Sequence, residues 1–311
     1  MLISLPHRTM TDSSPRLSHF FLLLLLAFVW GSSFILMKRA LFTADDAPLF
    51  SSFQVGAARI FIAGLVLSPI AIRHLPKMSR AHIGWMLAVG ILGNTIPAFL
   101  FTGAQLHLPS SMAGMLNALT PLFTLIVATL VFKLSYRRIQ LVGLAIGFAG
   151  AMGLLQLRTG GGDLHVPSAL MVVLATVCYA FSVNILRNRL QAVNATVIAA
   201  GALGMMAIPT GIWLLFSQAD EVFEVHKEAA VNGALAVFVL ASVGTAASLV
   251  VFNRIIQQTS ALFASSVTYV IPVFAAMWGL LDGEQLTFLH LVFAAVVLSG
   301  VYLVNSSRRK V

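Results

Sequence analysis

LHLPSSMAGMLNALTPLF, residues 106–123, can be laid over QQTSALFASSVTYVIPVF, residues 257–274, at a shift of 151 that matches Pro121 to Pro272 and Phe123 to Phe274. The same shift matches Gly93 to Gly244 and Phe101 to Phe252 in the preceding segment. A shift of 149 brings WGSSFILMK, 30–38, over YAFSVNILR, 179–187, and a shift of 150 pairs Gly150 with Gly300. Each match alone is weak, but the shifts agree across several segments. The chain reads as two copies of one unit.

Composition says what kind of unit this is. Of 311 residues, 59% are hydrophobic and only 9% charged, and the mean hydropathy is +0.95. Soluble domains carry about a quarter charged residues, so this chain lacks the charge to cover a soluble surface. It is read as a multispanning membrane protein. The formal charge of +9 is dispersed through short loops and points to membrane topology, with no nucleic-acid partner expected. The single cysteine, Cys178, excludes a disulfide framework and reads as a small apolar filler. The run FFLLLLLAFVW at 20–30 follows Arg16 as a signal peptide would, yet it continues without a small-residue cleavage site. A retained first span is expected instead.

Hydrophobic segments recur at roughly 18–40, 50–72, 83–105, 110–132, 138–157, 167–188, 194–216, 230–252, 260–281 and 286–305. They are continuous and too long for tilted barrel strands, so helices are expected; a helix also satisfies its own backbone in lipid. The fold class is all-α with ten transmembrane helices. Lys and Arg orient them. With the N-terminus inside, the cytoplasmic loops receive Arg8, Arg16, Arg73, Lys77, Arg80, Lys133, Arg137, Arg138, Arg187, Arg189, Arg254, Arg308, Arg309 and Lys310. Only Lys38, Arg39, Arg158 and Lys227 fall outside, and Arg59 lies within the second span. That bias places both termini in the cytoplasm.

Five spans per unit is an odd number, so the second unit must enter the membrane from the opposite side. The units are expected at 18–157 and 167–305, as an inverted repeat of the kind that secondary transporters use for alternating access. No GxxxxGK[ST] motif is present to drive an ATP pump.

These residues resemble the EamA group of the drug/metabolite transporter superfamily. WGSSF at 30–34 is similar to the WG-S/N-F element of that family's first helix, and Arg59 to the arginine usual in its second. Pro121 in LTPLF and Pro272 in VIPVF match the proline of the fourth helix of each unit. GEQLTFLH at 283–290 matches the glycine–glutamate start of the last helix, whereas Lys133 in VFKLSYRR stands where the first unit would carry its glutamate. The resemblance covers about residues 18–305 and implies ten helices from duplicated five-helix units, in the inner membrane of a bacterial cell. It implies export of amino acids, metabolites or drugs, and the nearest analogy is the aromatic amino acid exporter branch. It also leaves the fifth and tenth helices outside the central cavity, free for contacts elsewhere.

Candidate cavity residues are the polar and aromatic groups that interrupt the spans. Trp30 and Ser33 are neighbours on one helix, and Tyr179 takes the place of Trp30 in the second unit. Gly31, Ser32 and Ser33 equally suit close helix packing. Asn94, Asn117, Asn184, Ser266 and Tyr269 are costly in lipid and should face protein or water, as cavity lining or as links between helices. Arg59, near the middle of its span, is too deep to snorkel and can draw a substrate carboxylate or bond helix-end carbonyls. Pro121 and Pro272 are hinge candidates, with a static kink as the alternative. Lys38 is an outer-mouth candidate, or an interfacial anchor.

A secondary transporter exporting small metabolites by alternating access is therefore expected, with amino acids, aromatic or otherwise neutral, as favoured substrates. Drugs and nucleobases are the alternative within the same family. No acid sits at mid-span, which favours a uniporter or facilitator. An intramembrane enzyme would need a constellation such as serine with histidine or HExxH, and neither is found centrally. No cofactor or metal set is expected, and the partners are a small-molecule substrate and membrane lipid. Small residues on the fifth and tenth helices suit a monomer or a weak homodimer.

Overall fold

The computed structural model describes residues 17–133, 137–156, 165–258 and 266–306, and among these it is helical, with no strand beyond one isolated bridge, Phe42 to Pro48. Seven helical stretches are long and apolar enough to cross a membrane: Leu17–Leu41, Ser52–Lys77, Arg80–Ala104, Ser110–Leu130, Val166–Arg189, Ala195–Leu215 and Lys227–Ile255. Three shorter apolar helices, Arg138–Leu154, Ile271–Leu281 and Phe288–Gly300, accompany them. Large apolar side chains such as Leu130, Leu215, Phe216 and Phe288 lie bare on the outside. In water such a surface would aggregate; against lipid tails it is at home.

The elements are α1 (Leu17–Leu41), α2 (Ser52–His74), α3 (Arg80–Gly90), α4 (Ile96–Ala104), α5 (Ser110–Asn117), α6 (Thr120–Leu130) and α7 (Arg138–Gln156). Then come α8 (Val166–Arg189), α9 (Ala195–Leu215), α10 (Ala219–Val225), α11 (Lys227–Ala241), α12 (Ser248–Gln258), α13 (Ile271–Leu281) and α14 (Phe288–Ser306). Sequence chemistry sets several of the starts. Ser51 forms a capping box with Gln54 at α2, and the Asn194 side chain accepts from Thr196 N at α9.

Four of the expected continuous spans are interrupted. α3 joins α4 through a π-helical segment, Ile91–Thr95, and α11 joins α12 through another, Ser242–Ala247. The two segments begin 151 residues apart, the shift that relates Gly93 to Gly244. α5 breaks from α6 at Ala118–Leu119, and a 3-10 turn, Ser266–Tyr269, precedes α13. Pro121 and Pro272 each sit in the first turn of the restarted helix, where a missing N–H leaves no bond unmade. They begin new helices and do not kink continuous ones. The connection at 217–229 carries the short helix α10.

Helix packing follows the repeat. α8 packs against the α3–α4 span and α6, and α1 packs against the α11–α12 span and α13. α9 on α3 is matched by α2 on α11. The pairs α2–α9 and α7–α14 are carried onto themselves when the two halves are exchanged. Small residues make these contacts close. A Cβ at Gly64 would collide with the carbonyl of Leu203, and one at Gly300 with the backbone of Gly143 and Gly147. The small residues of the fifth and tenth expected spans thus meet each other within one chain.

Candidate functional site

A cavity of about 200 Å³ lies between the halves, and eight of the expected site residues line it: Trp30, Ser33, Arg59, Asn94, Asn117, Pro121, Tyr179 and Asn184. The side chains of Ser266 and Tyr269 lie outside the described part of the structure, and their neighbour Thr268 lines the cavity. Pro272 does not line it, and Lys38 lies beyond its end.

WGSSF can now be resolved residue by residue. Gly31 lets α1 rest on α13, because a Cβ there would collide with Phe274 and press on the Ile271 carbonyl. Ser32 donates to the Phe28 carbonyl at 2.7 Å and accepts from Trp278 Nε1 at 2.8 Å. Ser33 donates to the Val29 carbonyl and faces Gly244. Trp30 Nε1 donates to the Gly244 carbonyl at 3.1 Å and turns its ring to the cavity. Packing and lining are thus divided among neighbouring positions.

The two halves build matching walls. Trp30 meets Phe252 edge-on at 5.0 Å between centroids, and Tyr179 stacks with Phe101 at 6.1 Å. Ser33 opposes Gly244 in one π segment, and Ser182 opposes Gly93 in the other. A π turn frees its side chains from the ordinary ladder: Thr245 Oγ1, Asn94 Nδ2 and Thr95 Oγ1 each donate to a carbonyl five residues back. Such turns gather at functional sites, and these two border one cavity. The functional candidacy of Phe101, Phe252, Ser182 and Thr245 was missed, although the shifts of 149 and 151 match Ser182 to Ser33 and Phe101 to Phe252.

Arg59 breaks the symmetry. Its Nε donates to Thr245 Oγ1 at 2.9 Å and its Nη1 approaches Met37 Sδ at 3.8 Å. Among the described residues it pairs with no carboxylate, and no Asp or Glu lines the cavity. At shifts of 149 and 150 the second half offers Ile208 and Pro209, so the charge is one-sided.

The two ends of the cavity also differ. At one end the lining stops at buried Met37, and beyond it Lys38 reaches Asp282 at 2.5 Å, with Arg39 pairing to the same carboxylate. Beside them Glu284 caps α5: its carboxylate accepts from Ser110 N at 2.8 Å, Ser110 Oγ at 2.5 Å, Ser111 N at 3.1 Å and the Ser111 hydroxyl. Gly279 leaves room for that carboxylate between α13 and α5. At the other end the lining runs out to exposed Arg187, the counterpart of Lys38 at a shift of 149. Arg187 forms no ion pair among the described residues. The backbone also revises one equivalence. Lys133, at φ 53°, takes the left-handed position that Gly283, at φ 84°, takes in the second half, so the counterpart of Glu284 is Leu134, outside the described residues. Neither residue is acidic, and among the described residues only one end of the cavity has this clasp.

The sequence profile of the EamA-like transporter family matches twice, over residues 17–156 and 166–306. A protein of Escherichia coli K12 named as an uncharacterized inner membrane transporter, YedA, is 27% identical over 90% of this chain and 88% of its own length. A probable amino-acid metabolite efflux pump of Salmonella typhimurium is 22% identical over 91% of this chain and 93% of its own. An S-adenosylmethionine/S-adenosylhomocysteine transporter of Chlamydia trachomatis serovar L2 is 27% identical over 85% and 82%.

Proposed function

Because the chain belongs to the EamA-like transporter family, we propose that it is a multi-pass inner-membrane secondary transporter that exports small metabolites by alternating access. In this reading ten spans form two inverted five-helix units with both termini in the cytoplasm, and the Lys38 end of the cavity faces the periplasm. The cavity is then open to the cytoplasm and closed outside by the Asp282 and Glu284 contacts. Rocking of the units would exchange the closed end, with the breaks before Pro121 and Pro272 as hinges. Lys38 is then an outer-mouth residue that holds the closed state.

The observation that carries the reading is the paired wall at the interface of the halves, with Trp30 and Phe252 facing Tyr179 and Phe101 around polar π segments. Such a wall suits a flat or apolar body, and Arg59 supplies a contact for a carboxylate. Amino acids, aromatic or otherwise neutral, fit best, in keeping with the Salmonella relative's name. A nucleobase or an adenosyl compound is the second reading, favoured by the same ring pairs and by the Chlamydia relative's name.

Flux into proteoliposomes separates them. Labelled phenylalanine, threonine and a nucleobase are supplied with and without a proton gradient. Saturable phenylalanine flux without the gradient is the expected result. Nucleobase flux with no amino acid flux would move the protein to the second reading.

A further inference from the structure

The charge inventory of the cavity goes further than its shape. Of the described residues lining it, Arg59 and Arg187 are cationic and none is acidic. The nearby acids, Asp282 and Glu284, are held by Lys38, Arg39, Ser110 and Ser111 at the closed end. We infer that the cavity selects substrates that are net anions, an apolar or aromatic carboxylate, and that the α-amino group of an amino acid contributes nothing to recognition. This rests on the reading of the cavity as the transport site, and it narrows the substrate class within that reading.

The selecting group is Arg59. A guanidinium inside a membrane protein needs a counter-charge, and here its neighbours are a hydroxyl, a thioether and the Tyr179 phenol. A substrate carboxylate would provide one, in the bidentate geometry that a guanidinium favours. The acceptors beside Arg59 are uncharged. Thr245 Oγ1 accepts from Arg59 and donates to the Leu240 carbonyl, while the Gly244 carbonyl accepts from Trp30. An ammonium one carbon away from the bound carboxylate would meet a guanidinium and, among the described lining residues, no carboxylate. An acyl-capped amine, or no amine at all, avoids that repulsion. At the open end Arg187 adds a second positive charge, which draws anions toward the cavity before they bind.

A series of one ring and three charges tests this in the full-length protein. Flux of N-acetylphenylalanine (net −1), phenylalanine (net 0) and phenylalaninamide (net +1) is measured in proteoliposomes, with wild type and with the Arg59→Gln and Arg59→Lys variants. The wild type should carry the anion at least about thirtyfold faster than the cation, the scale expected when a buried charge loses its partner. Phenylalanine should fall between them. Arg59→Gln should erase the preference and Arg59→Lys should keep part of it. The wild-type ranking stands by itself even where a variant fails to fold. Preference for phenylalanine would overturn the inference and leave the amino acid reading in place, and preference for the amide would overturn both. Transport of the anion alone would uphold the inference and replace amino acids by organic acids. Transport of none of the three would overturn both.

Discussion

Glu284→Ala is expected to lower stability by about 3–5 kcal/mol, because hydrogen bonds to a charged group contribute about 1.5–3 kcal/mol each and this carboxylate accepts several. The cost has two parts. Two backbone N–H groups at the start of α5 lose their acceptor, and that helix begins at Pro109 with no side-chain cap of its own. Glu284 also ties the short connection before α14 to α5, in the other half of the chain. Thermal unfolding in detergent measures the loss. Glu284→Gln keeps an oxygen acceptor but loses the charge that favours a helix N-terminus, so its midpoint should lie between wild type and alanine. An alanine variant as stable as wild type would show that the clasp is not holding the halves.

Asp282→Asn should instead act on conformation. Asp282 is nearly buried while Lys38 and Arg39 are partly exposed, so its carboxylate is the common partner of two cations at the closed end. Without it, two like charges are left beside each other. A tenfold change in the share of molecules open at that end corresponds to about 1.4 kcal/mol, a reasonable scale for one partly buried ion-paired cluster. The reporter is Met37→Cys, at the last lining position before the closed end, in a Cys178→Ala background. A membrane-impermeant thiol reagent added on the Lys38 side should label it at least about tenfold faster once Asp282→Asn is present. An unchanged rate would mean that the ion pairs decorate a mouth closed by packing alone.

How much of this was legible depends on what each feature leaves in the sequence. Spans are legible because twenty apolar residues are a composition signal, and the seven long helical stretches begin and end within a few residues of the expected segments. The break before Pro121 was half legible: proline marks a helix discontinuity but not whether the helix bends or restarts, and that is settled by α13 lying against α5. The π segments change which backbone bond forms while leaving hydropathy alone. Only the pairing of Gly93 with Gly244 marked them. Lys133 misled because an αL position is usually glycine, and a lysine there looks like the next residue of the motif. Of the candidate site, the intramembrane polar residues were legible one by one. Their aromatic partners were not, because in a chain with 22 phenylalanines the type carries no information and only the repeat singles out Phe101 and Phe252.

The central claim is that the space between the halves is the path of the substrate. Comparing Trp30→Ala with Trp213→Ala tests it most directly, since Trp30 lines the cavity and Trp213 lies on the outer surface, 40% exposed. Saturable phenylalanine flux is measured per folded transporter in proteoliposomes. Flux through Trp30→Ala should fall by about tenfold or more, as removal of a buried aromatic contact should cause, with Trp213→Ala near wild type. Wild-type flux in folded Trp30→Ala protein would contradict the account and place the path elsewhere.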